Sequence, residues 1–199
     1  LRLPVTGSER LAVGFVVGSG AASLAILLLR LAGVPLPLWA LAAVALTGLP
    51  RLRAPGGCEL HSGVSAGWVR AVDAASLGVA LFTFAAALGP ETYWDGFEYH
   101  LPLAQAWSEG PVRALPGRLD AELHAGVDLL YIPALAAGEP DAAAAVSACF
   151  AAALAALVRA EARRRSTRGA GSLAGLFTLI APFTLENAPS SYVDLGVGA

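Results

Sequence analysis

Long uncharged stretches alternate with short polar ones along this 199-residue chain. Residues 11–29 run without charge to Arg30, and 31–49 stop before Arg51. Residues 74–89, 142–158 and 169–185 repeat the pattern. About 20 apolar residues cross the hydrocarbon core of a bilayer, and about 17 suffice. The stretch at 74–89 reaches that length only by taking in Ala71 and Val72, which brings Asp73 to its edge. Five spans are therefore predicted. Gly18, Gly20 and the many alanines allow helices to approach closely. Segment 126–137 is apolar but short, and it contains Asp128 and Pro133. It predicts a helix lying at the membrane interface. Residues 98–109 suit a short amphipathic helix with Leu101, Leu103, Ala106 and Trp107 toward the membrane, closed by Gly110 and Pro111.

Composition strengthens the pattern. The chain is 56% hydrophobic and only 14% charged, with a mean hydropathy of +0.64. A soluble domain carries about 25% charged residues. A disordered chain, a fibrous repeat and an ordinary water-soluble enzyme are excluded. The fold class expected is all-α: a polytopic membrane helix bundle with an outer loop carrying short juxtamembrane helices. The formal charge of −2 offers no basic face for nucleic acid. The chain opens on a leucine and stops within the apolar stretch 195–199, so a fragment of a longer protein is expected.

Sidedness follows from arginines in short loops. Arg159, Arg163, Arg164, Arg165 and Arg168 make the turn between the last two spans the most basic part of the chain, and Arg51, Arg53 and Arg70 mark the 50–70 loop. Both are placed in the cytoplasm of a cell inner or plasma membrane. The N-terminus then falls inside and residues 90–140 outside. Cys149 lies in a span and Cys58 in a cytoplasmic loop, so no disulfide is expected.

The unusual polar chemistry falls in that outer loop, which opens with PETYWDGFEYHLPLAQAWSEG. Tyr93, Trp94, Phe97 and Tyr99 suit the headgroup level. Asp95 follows the third span at the boundary where a polar substrate meets a lipid-borne one, although Asp95-Gly96 serves equally well as a plain turn. Glu98, Tyr99 and His100 beside it are candidates for binding substrate, although a loop histidine is ordinarily just solvated. Arg113 and Arg118 can bind phosphate or simply face water. Asp194, after the fifth span, returns to the same side. It can begin the next helix as a cap. With Asp95 it can also hold a divalent cation, magnesium or manganese, or share base and orienting duties.

These residues carry a resemblance. WDGFEYHLPLAQAW resembles the first outer-loop motif of bacterial integral-membrane glycosyltransferases of the C-type fold, in the branch related to protein O-mannosyltransferases and aminoarabinose transferases. DLLYIPALAAG, beginning at Asp128, is similar to that family's juxtamembrane helix, and APSSYVDLGVGA to a segment after a later span. The likeness covers roughly residues 72–199. Residues 1–71, two spans and a cytoplasmic loop, match nothing in the family's pattern, and neither does LDAELHAGVD at 119–128. The resemblance implies a sugar donor on a polyprenyl phosphate, an acceptor that is a glycan, lipid or protein, and inversion at the anomeric carbon. It assigns the essential first-loop acid to Asp95 and the later acid to Asp194, with Asp128 in the binding region. Two other readings stand beside it: a non-catalytic transport or polysaccharide-export component, and a truncated, inactive homologue. A permeation path needs charge inside the spans, whereas here the acids collect in the outer loop.

Overall fold

A computed structural model describes residues 7–33, 64–112, 125–191 and 194–195. Most of the expected second span, Cys58, Arg113 and Arg118 lie outside the described residues. Among the described residues all regular structure is helical.

Three helices are long and apolar enough to cross a membrane. The first, α1 (Gly7–Leu31), has 25 residues, about 37 Å at 1.5 Å per residue. The second, α2 (Ala66–Ala86), starts eight residues before the apolar stretch that predicted it. Ser65 sets this start, its hydroxyl accepting from the Trp68 backbone N–H at 3.3 Å. Asp73 therefore sits two turns inside the helix. It is tolerated there because its Oδ2 meets Arg159 Nη2 of α6 (Ala145–Arg165) at 2.7 Å. Arg159 likewise lets α6 run past residue 158, and its last turn holds Arg163, Arg164 and Arg165.

The expected fifth span, 169–185, is broken. Helix α7 (Arg168–Ile180) has 13 residues, about 20 Å, against a hydrocarbon core of about 30 Å. Pro182 ends it. A residue before proline is pushed out of the helical region, and Ala181 has φ −56° and ψ 134°. A separate helix, α8 (Pro182–Asn187), follows. Close helix contact comes from Gly171 and Gly175 rather than from Gly20, which faces open space. A Cβ on Gly171 would overlap the stem of Arg163, and one on Gly175 would lie 3.1 Å from Arg159 Cβ. These glycines let α7 lie against α6 as small-residue pairs do in membranes.

Helix α1 measures the bundle from end to end. Glu9 pairs with Arg164 in the arginine-rich turn. Arg30, about 31 Å further along, is buried and caps helix α3 (Leu101–Glu109). Its Nε donates to Trp107 O at 2.8 Å and its Nη2 to Ser108 O at 3.0 Å and to Gly110 O. The arginine-rich turn and the segment around α3 thus occupy opposite ends. Two of the outer-loop expectations change here. Leu103 and Trp107 are buried among Ile26, Leu129, Tyr131 and Ile132 instead of facing lipid. Segment 126–137 is not one continuous helix. It breaks into α4 (Ala125–Asp128) and α5 (Ile132–Ala136), tucked beneath α1 and α3. Its Leu129, Tyr131 and Ile132 are buried against protein partners. Trp94 and Phe97 remain exposed.

Candidate functional site

The site begins with the break after α2. Pro90 follows the helix end, and Glu91 turns inward, 8% exposed. Its Oε1 accepts from the Thr92 and Tyr93 backbone N–H groups at 3.0 Å each, and its Oε2 accepts from Ser191 N at 2.6 Å. Charge-assisted bonds of this kind are roughly twice as strong as neutral ones. This last bond joins the segment bearing Asp95 to the segment bearing Asp194, 100 residues apart. Gly96 makes room for it: a Cβ there would stand 2.6 Å from Glu91 Cδ. The glycine of Asp95-Gly96 is thus demanded by a close approach inside a helix, not by a turn.

From Gly96 to His100 the backbone is a π-helical turn, with Leu101 N–H reaching back five residues to Gly96 O. The extra residue shifts the register of what precedes α3, and His100 is buried. Its Nδ1 lies 2.8 Å from Asp128 Oδ1, itself 1% exposed. Two residues the sequence singled out separately are therefore one buried pair. Tyr99 packs its ring on His100, centroids 4.6 Å apart. Glu98 is exposed, and Asp95 is half-buried and makes no side-chain capping bond.

Tyr131 lies beneath this pair, fully enclosed, its hydroxyl 3.2 Å from Ser147 Oγ of α6. Burial pushes its phenol far above the ordinary tyrosine value, since the charged form would lose its hydration. The Ser147 bond opposes that rise, and the carboxylates of Asp128, Glu91 and Asp194 add to it. The phenol therefore stays protonated and can donate. Asp194 itself is exposed. Ser191 Oγ is buried and finds no partner among the described residues.

Glu91, Tyr131 and Ser191 were not anticipated from sequence. The readable signal for Glu91 was an acid directly after a helix-ending proline, five residues before a glycine. Tyr131 gave none beyond lying three residues from Asp128. Among the described residues no three His, Cys, Asp or Glu side chains come together as a metal-ligand set. The arrangement supplies an enclosed histidine–carboxylate pair, a protonated phenol, and two acid-bearing segments held at one end of the bundle. No protein-family model, curated protein or solved structure matches the chain.

Proposed function

We propose that the chain acts in a membrane-bound glycosyltransferase that moves a sugar from a polyprenyl phosphate to an acceptor hydroxyl, with inversion. One observation carries the reading: the Ser191–Glu91 bond at 2.6 Å, which draws the Asp194 and Asp95 segments to one end of the bundle. The family resemblance at 94–107, 128–138 and 188–199 supports it from the sequence side. In this reading the arginine-rich turn is cytoplasmic and the acid-bearing end faces outward.

A sugar hydroxyl is a poor nucleophile until a carboxylate takes its proton. Asp95 accepts that proton as the hydroxyl oxygen bonds to the anomeric carbon from the face opposite the phosphate. The bond from that carbon to the phosphate oxygen breaks, and polyprenyl phosphate leaves with the electron pair. Asp194 orients the acceptor. The His100–Asp128 pair and Glu91 keep the segments in place. A magnesium-type cation typically binds one or two carboxylates and completes its shell with water and substrate phosphate. Asp95 and Asp194 would hold it, and it would neutralise charge on the departing phosphate.

Asp95→Asn in the membrane-inserted protein is expected to abolish sugar transfer from a polyprenyl-phosphate donor while leaving insertion intact. Unchanged turnover would refute the assignment.

A further inference from the structure

Among the described residues the arginine-rich end carries more arginines than acids. Among the described residues the acids at this end are already engaged. Asp73 holds Arg159 at 2.7 Å, Glu9 pairs with Arg164, and Glu161 is shared between Arg164 and Arg165 at 3.0 and 2.6 Å. Arg70 and Arg168 are both exposed. Arg70 donates to Ala66 O of its own helix at 3.3 Å, and among the described residues no acid pairs with it. Neither α2 nor α7 has an acid in its first turn. Trp68, 39% exposed, bridges these two helices, its ring edge lying 3.4 Å from the Cβ position of Gly169. Basic side chains beside a half-exposed tryptophan, where apolar helices of membrane length end, match the headgroup layer in charge and depth.

We infer that this end docks on the anionic phosphate headgroups of one membrane leaflet, with Arg70 and Arg168 facing the phosphates and Trp68 seated at their level. The partner is the lipid surface, recognised by charge rather than by a fitted pocket. The inference is independent of sugar transfer at the far end.

The test is a titration of the full chain, purified in neutral detergent, with phosphatidylglycerol or phosphatidylcholine of the same acyl chains, read by thermal unfolding. Phosphatidylglycerol raises Tm at lower concentration than phosphatidylcholine. The double variant R70Q/R168Q needs on the order of 30-fold more phosphatidylglycerol for the same rise, given the usual contribution of each juxtamembrane cation. R70K/R168K keeps the wild-type response, because a diffuse anionic surface does not require the guanidinium fork. Equal rises with both lipids, an unchanged response in R70Q/R168Q, or the same rise with inorganic phosphate would each overturn it. Should R70Q/R168Q fail to fold, salt decides on the wild type. At 1 M NaCl, where screening acts within about 3 Å, the preference for phosphatidylglycerol collapses. A preference undiminished by that salt would count against the inference.

Discussion

The two ends of the bundle use charge in opposite ways. At the arginine-rich end Arg70, Arg164, Arg165 and Arg168 are exposed, and Glu161 pairs within its own helix with Arg164 and Arg165 three and four residues on. At the acid-bearing end Arg30, Glu91, His100 and Asp128 are enclosed, and each has a partner distant in sequence. Arg30 reaches across 77 residues to Trp107, Ser191 across 100 to Glu91, and Asp128 across 28 to His100. An exposed pair is worth about 0–1 kcal/mol, whereas a buried polar group left without its partner costs about 1–3 kcal/mol. The exposed arginines of the first end are therefore tolerant of change and suited to a diffuse surface. The other end is held to one arrangement by its enclosed pairs.

Three substitutions sharpen that contrast. Gly96→Ala has the largest expected effect, because the new methyl would collide with the Glu91 carboxyl and displace it from three backbone donors. A loss of about 2–4 kcal/mol is expected, measured by thermal unfolding in detergent. Part of it should vanish in a cycle with Glu91→Ala, since the two sites are in contact. A Gly96→Ala variant as stable as wild type would mean that the clasp is not held.

Tyr131→Phe comes next. It removes the Ser147 bond, worth about 1 kcal/mol, and it also changes the response to alkali. The folded-state pKa of Tyr131 is raised, so the stabilisation is fully present below about pH 10, where the unfolded tyrosine ionises. It is lost as pH rises beyond that point. The wild type should weaken above about pH 10 more steeply than Tyr131→Phe. Matching slopes would show that the phenol is not buried beside those carboxylates. Glu161→Gln, at the far end, has the smallest effect, about 0.5 kcal/mol or less.

Much of the fold was legible in the sequence, and the exceptions share one cause. The long apolar runs gave α1, α2 and α6 their places. Their ends were misjudged at Asp73 and Arg159, because each charge looked like a boundary until the other was found opposite it. Pro182 could have announced the break after α7, but hydropathy alone passed over it. Leu103 and Trp107 were assigned to the membrane surface because a sequence shows that a side chain is apolar without showing which apolar neighbour it meets. The site was half visible. His100 and Asp128 stood out singly, whereas their pairing depends on a π-helical turn that no periodicity displays. Glu91 was missed because its partners are backbone N–H groups, to which any sequence is blind.

The central claim is that the segments bearing Asp95 and Asp194 share one end, away from the arginine-rich turn. Single cysteines placed at Ser108, Asp194 and Ser166 in a background lacking Cys58 and Cys149 test it directly, using a membrane-impermeant maleimide on sealed vesicles of known orientation. The account predicts that Ser108→Cys and Asp194→Cys label from the same side and Ser166→Cys only from the other. Labelling of Asp194→Cys together with Ser166→Cys would contradict it.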